Sequence, residues 1–86
     1  MQKLWSDIAW SEYLYWQTCD KRMLKRINEL LKDIDRNGLD TGIGKPEALK
    51  YRKAWSRRID EKNRLIYDED DNGNLLIISC KGHYED

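Results

Sequence analysis

Phenylalanine is absent from this 86-residue chain, proline and histidine occur once each, and cysteine occurs twice. No stretch approaches the roughly 18 consecutive apolar residues of a membrane span, so a membrane protein is excluded. No charged-then-apolar leader opens the chain, and the expectation is a soluble, cytoplasmic protein. Cys19 and Cys80 have neither metal-ligand nor redox-pair spacing, which excludes a disulfide scaffold and a zinc module. They are expected to be two small, half-buried thiols in a reducing compartment. A chain of this length is expected to form one domain, residues 1–86, with one modest core and no room for an internal cofactor chamber.

What is present is charge, at 37% of the residues with a formal net charge of zero. The neutrality is a sum of unlike parts. Residues 1–40 carry seven basic and seven acidic side chains. Residues 41–67 carry eight basic against three acidic, a net of +5, and residues 68–86 carry a net of −5. A locally basic segment can hold a polyanion even in a neutral protein. Four Trp and five Tyr supply all the aromatic bulk. Both residue types suit core edges and interfaces, and Trp5, Trp10 and Trp16 fit a self-interface as well as a core.

The N-terminal half reads as helical. Ser6 can cap a first helix running to about Gln17, with Trp10, Tyr13 and Leu14 as its candidate buried stripe. A second helix begins near Thr18 or Asp20. Met23, Leu24, Ile27, Leu30, Leu31 and Ile34 give it one apolar face, and Asn37-Gly38 is a stop. Residues 37–54 hold three of the five glycines and the single proline, with a short helical turn expected at Pro46–Leu49. Long ordered loops in small domains are disproportionately functional.

The C-terminal half reads as strands over 54–59, 64–67 and 75–80, the last nearly all apolar, as in a central strand covered on both faces. Asn72-Gly73 predicts a type I′ hairpin, and residues 2–5 can add a short strand. The expected fold is α+β: two N-terminal helices packed on a small antiparallel sheet of about four strands.

Several residues carry possible chemistry. Asp68, Asp70, Asn72 and Gly73 open like a calcium loop, but position twelve is Ser79 rather than a bidentate Glu. His83 is the one side chain here with an ordinary pKa near neutrality, ~6.5, although lone histidines are more often structural than catalytic. Strand alternation puts Ser56, Arg58 and Asp60 on one face and Trp55, Arg57 and Ile59 on the other. Arg58 and Arg64 then emerge together if Ile59 registers with Leu65, whereas pairing Ile59 with Arg64 splits them. Glu47 lies between Lys45 and Lys50 and stays ionised there, as suits a surface ion pair or a general base.

Taken in order, these residues form a pattern. Trp5-Ser6, Tyr13-Leu14-Tyr15-Trp16, Gly44-Lys45-Pro46-Glu47, Trp55-Ser56-Arg57-Arg58-Ile59, Arg64-Leu65 and His83-Tyr84 span essentially the whole chain. The sequence resembles the YoeB/Txe toxins, a branch of the RelE/ParE superfamily of bacterial toxin–antitoxin systems. The resemblance implies a ribosome-dependent mRNA endonuclease that cuts in the ribosomal A site and needs no metal or other cofactor. It implies Glu47 as general base, Arg64 as transition-state arginine and His83 as general acid. Lys50, Arg58 and Tyr84 would hold the substrate around the scissile phosphate. The implied partners are the ribosome, its mRNA and a cognate antitoxin of the YefM/Axe kind, with a homodimer as the alternative to a monomer. Here Glu85 and Asp86 follow His-Tyr, and Tyr51–Ala54 is shorter and lacks glycine, both departures from the family pattern. The competing reading is a superfamily member that poisons a target such as gyrase by binding alone, which would need no acid–base pair.

Overall fold

Two helices joined by a single residue form one layer of the fold in a computed structural model, which describes residues 1–83. α1 (Asp7–Cys19) starts at Ser6, whose hydroxyl oxygen accepts from Ala9 N–H at 2.9 Å and donates to Ile78 O at 2.8 Å. α2 (Lys21–Asn37) starts at Asp20, whose carboxylate accepts from Arg22 N–H while its own N–H donates back to Trp16 O. Cys19 is thus the last residue of α1. Met23, Ile27, Leu30, Leu31 and Ile34 are all buried, as the periodicity of α2 required. Gly38, at φ +91°, ends α2 in a conformation that favours glycine.

The stripe expected on α1 is corrected. Trp10 and Leu14 are 47% and 43% exposed, Tyr13 is half-buried, and the buried residues are Ala9 and Trp16. Apolar residues surround α1, so periodicity selects no face. Polar anchors do. Trp16 Nε1–H donates to Cys80 O at 2.9 Å, and Cys80 N–H donates to Glu12 Oε1 at 2.8 Å. Ala9, Glu12, Tyr13 and Trp16, spaced i, i+3, i+4 and i+7, form the inward face. Trp16 therefore belongs to the core.

The second layer is a five-stranded sheet: β1 (Lys3–Trp5), β2 (Glu47–Ala48), β3 (Trp55–Arg58), β4 (Arg64–Glu69) and β5 (Leu75–Ser79), in the order β1-β5-β4-β3-β2. The count exceeds the four expected. The β1–β5 pair is parallel and the remaining pairs are antiparallel. The additional strand, β2, replaces the helical turn expected at Pro46–Leu49. A four-residue helix gains little beyond its costly nucleus, whereas pairing Glu47 with Ser56 and Ala48 with Trp55 extends an existing ladder. Pro46 is tolerated just before this edge strand. β5 is interior, but its burial alternates, and the strand buried at three consecutive residues is β4, at Leu65, Ile66 and Tyr67. In the β4–β5 loop only Gly73 has positive φ, so the type I′ turn, which needs two such residues, is not formed. Asp70 N–H donates to Asn74 O and Gly73 N–H to Asp70 O, making a wider loop.

The core lies between the layers, with Ala9, Trp16 and the α2 face against Leu65, Tyr67, Leu75, Ile77 and Cys80. The thiols are not both half-buried: Cys80 is inaccessible and Cys19 is exposed. Among the described residues, no helix is long and apolar enough to cross a membrane.

Among the described residues, one charged side chain enters this core. Arg57 is fully buried. Its Nε–H donates to Tyr67 OH at 2.8 Å. Nη1 donates to Asp33 Oδ2 at 2.5 Å and Ile43 O at 3.0 Å, and Nη2 to Gly38 O and Thr41 O at 2.8 and 2.7 Å. Tyr67 OH in turn donates to Leu39 O at 2.6 Å. The planar fork of the guanidinium thus meets acceptors on every nitrogen. The result is a clamp on residues 38–43, the segment that delivers the chain to β2.

Candidate active site

Beyond the clamp the chain crosses the sheet edge closely. Gly44 O accepts from Arg58 N–H at 2.6 Å, and a Cβ on Gly44 would lie 2.8 Å from Leu30 Cδ2 and 3.2 Å from Arg58 O. At φ +81° this residue is held to glycine by conformation and by space. Lys45 follows at φ +53°, turning the chain into β2. Glu47 then pairs with Ser56, which puts both on the sheet face away from the helices.

Arg58 and Arg64 share that face. The β3–β4 register sets them directly opposite one another, with Arg57 opposite Leu65 and Trp55 opposite Tyr67. This is two residues removed from the Ile59–Leu65 pairing considered for the sequence. A two-residue slip preserves side-chain parity, so the two arginines still emerge together. Arg64 Nη1 donates to Asp60 O at 2.7 Å and Asn63 O at 3.2 Å, which draws the guanidinium toward the β3–β4 turn.

The last segment arrives from β5. Cys80 is anchored by Glu12 and Trp16, and Gly82 is held through both of its flanking peptides: its N–H donates to Asn63 Oδ1 at 2.8 Å, and its carbonyl accepts from Arg64 N–H at 3.0 Å. His83 follows at once. Tyr84, the remaining expected site residue, lies outside the described residues, as do Glu85 and Asp86.

These segments enclose a cleft of about 280 Å³ lined by Lys45, Glu47, Lys50, Ser56, Arg58, Arg64 and His83, with Ala48 and Leu49. Five of the six residues singled out from the sequence therefore meet in one place. Four fixed cations around one carboxylate make the cleft attractive to a phosphodiester chain, and an imidazole stands at its edge. In the β3–β4 turn, burial opposes ionisation of Asp60. Hydrogen bonds from Lys62 N–H and from the amide and N–H of Asn63 outweigh it, so this carboxyl is held below its usual range. Among the described residues no group of three or more His, Cys, Asp and Glu is placed to hold a metal ion. Sequence reasoning missed the support beneath the cleft. Strand parity placed Arg57 on the face of Trp55 and Ile59, which was the available signal that it points inward. Asn63 gave no signal beyond membership of a polar turn.

The molecule is thus a two-layer α+β domain whose open sheet face carries a cationic cleft that combines a carboxylate and an imidazole. Residues 5–84 match the family described as YoeB-like toxin of bacterial type II toxin-antitoxin system. The chain is 50% identical over 86 residues to toxin YoeB of Escherichia coli K12, covering 98% of this chain and all of that one. Among solved structures, the YoeB dimer from Staphylococcus aureus superposes with a TM-score of 0.91 at 49% identity, over 98% of each chain. The toxin in the heterotetrameric YoeB–YefM complex from the same organism gives 0.88 at 51%, again over 98% of each. The chain belongs to the YoeB-like toxin family.

Proposed function

We propose that this toxin is an endoribonuclease that cleaves mRNA in the ribosomal A site. The observation that carries the reading is the meeting of Glu47, Arg58, Arg64 and His83, from β2, β3, β4 and the segment after β5, in one cleft. RNA cleavage by internal attack needs a base for the 2′-OH proton, an acid for the leaving oxygen and cations where charge gathers on phosphorus. Glu47 takes the 2′-OH proton as the 2′ oxygen bonds to phosphorus. The bond from phosphorus to the 5′ oxygen breaks, and His83 donates a proton to that oxygen, leaving a 2′,3′-cyclic phosphate. Arg64 stabilises the charge on the phosphoryl oxygens, Lys50 and Arg58 hold the substrate around the scissile phosphate, and Tyr84 stacks on a base or orients the phosphate.

The ribosome presents the codon and completes the site, which is open to solvent on its own. A cognate antitoxin of the YefM kind silences the toxin by covering the same sheet face, ordering a disordered segment as it binds. YoeB of S. aureus is known in a heterotetrameric complex with YefM and as a dimer. Self-association of this chain is part of the same proposal.

Primer extension on an mRNA incubated with purified protein, with and without translating ribosomes, tests the reading. Cuts inside the A-site codon that need ribosomes are expected, and Glu47→Ala or His83→Ala should each lower the rate by at least ~10²-fold. Growth arrest that survives both substitutions would replace this reading with that of a poison that acts by binding.

A further inference from the structure

We infer that Asn63 is a positioning residue that sets His83 and Arg64 relative to one another. The inference rests on the assignment of His83 as the proton donor. Asn63 sits in the β3–β4 turn and uses its amide in two directions. Oδ1 accepts from Gly82 N–H at 2.8 Å, and Nδ2 donates to Asp60 Oδ1 at 3.0 Å. One partner is a donor and the other a carboxylate, so the amide has only one satisfactory orientation. Its backbone carbonyl accepts from Arg64 Nη1 at 3.2 Å and from Ile59 N–H at 3.0 Å. The next residue, Arg64, donates its own N–H to the Gly82 carbonyl, in the peptide that leads to His83.

Gly82 is the hinge this arrangement controls. It stands at φ +89°, and a Cβ placed there would meet nothing within 4 Å, so neighbouring side chains do not restrain it. What restrains it is the pair of hydrogen bonds to residues 63 and 64. Without the Asn63 amide, the Gly82 N–H turns to water and the segment bearing His83 keeps one anchor instead of two. A general acid contributes only when held within hydrogen-bond reach of its leaving oxygen, and small misplacements cost disproportionately. Asp60 serves the same device: its carboxylate, fixed by the Lys62 and Asn63 N–H groups, holds the donating end of the Asn63 amide.

The test is a double-mutant cycle on ribosome-dependent cleavage, with Asn63→Ala, His83→Ala and the pair, measured under single-turnover conditions. Asn63→Ala is expected to slow cleavage about tenfold in the parent and less than about twofold once His83 is gone, the non-additivity of sites that act through one another. Equal losses in both backgrounds, or no loss in either, would overturn the inference. Amide exchange of Gly82 supplies a readout independent of activity. Asn63→Ala should accelerate it while exchange at Leu65–Tyr67, in the core of β4, stays slow and reports an intact fold. If His83→Ala leaves cleavage intact, the donor assignment fails on its own account, and unchanged Gly82 exchange would then dispose of the tether as well.

Discussion

Arg58 and Arg64 stand directly opposite each other across two paired strands, on the open face of the sheet. Like charges in that position are destabilising, by roughly 0.2–1 kcal/mol. Arg64 relieves part of the repulsion by turning its guanidinium to the carbonyls of Asp60 and Asn63, while Arg58 remains exposed. A fold does not need this pair, but a site for a phosphodiester does.

Arg58→Thr should therefore separate stability from activity. The β-branched, neutral side chain suits the strand, and the variant is expected to gain about 0.5 kcal/mol in urea unfolding while cleavage falls by about tenfold or more. A variant both less stable and fully active would show that Arg58 serves packing rather than substrate.

The Arg57–Asp33 pair predicts the acid limit of the fold. Hydrogen bonding from Arg57, with further bonds from Ile43 N–H and Asn37, outweighs burial and holds the Asp33 carboxyl below the usual range. The folded protein thus binds this proton more weakly than the unfolded chain. The stabilisation is complete above the unfolded pKa of about 3.9 and disappears as pH falls through the lower, folded value. Stability should be level in this respect from pH 7 to about 5 and drop below about pH 4. Asp33→Asn leaves the buried guanidinium without its counter-charge and is expected to cost about 3–5 kcal/mol at pH 7, with a shallower acid drop. Urea unfolding at a series of pH values measures both. An acid profile identical to that of the parent would remove Asp33 from the explanation.

The two cysteines should differ in reactivity. Burial, and then the nearby Glu12 carboxylate, push the Cys80 thiol up to about 12, whereas Cys19 lies exposed at the end of α1. The thiolate is the reactive form. A chromogenic disulfide reagent at pH 7.5 should titrate one thiol in the native protein and two after denaturation. Two fast-reacting thiols in the native state would mean that β5 opens readily beside the cleft.

How far these features could be read from sequence depended on whether local pattern alone decided them. The face of α2 was legible because its apolar residues recur on one side only. That of α1 was not, because Ile8, Trp10, Leu14 and Tyr15 make it apolar on several sides, and Glu12 and Trp16 settle the matter through bonds to Cys80, far away in the chain. The shared face of Arg58 and Arg64 depended on parity, which survived a register two residues from the one considered. β2 was illegible because two residues carry no periodicity and exist as a strand only by pairing with Trp55 and Ser56. The lining of the cleft was legible through resemblance. Its supports, Arg57 and Asn63, were not, since each acts on backbone groups brought near only by the tertiary fold.

The parallel pairing of β1 with β5 also constrains the order in which the molecule comes into being. Lys3–Trp5 is made well before β5 and has no partner until Leu75–Ile77 has followed. Contacts so distant in sequence form late, after most of the loop-closure entropy has been lost. Until then the apolar face of α1 lacks its β5 cover, and the cleft lacks the segment that ends at His83. A growing or prematurely ended chain is consequently an aggregation hazard that has not yet acquired a site. Completion of the cleft is thus deferred, by topology alone, until β5 has been made and has paired with β1.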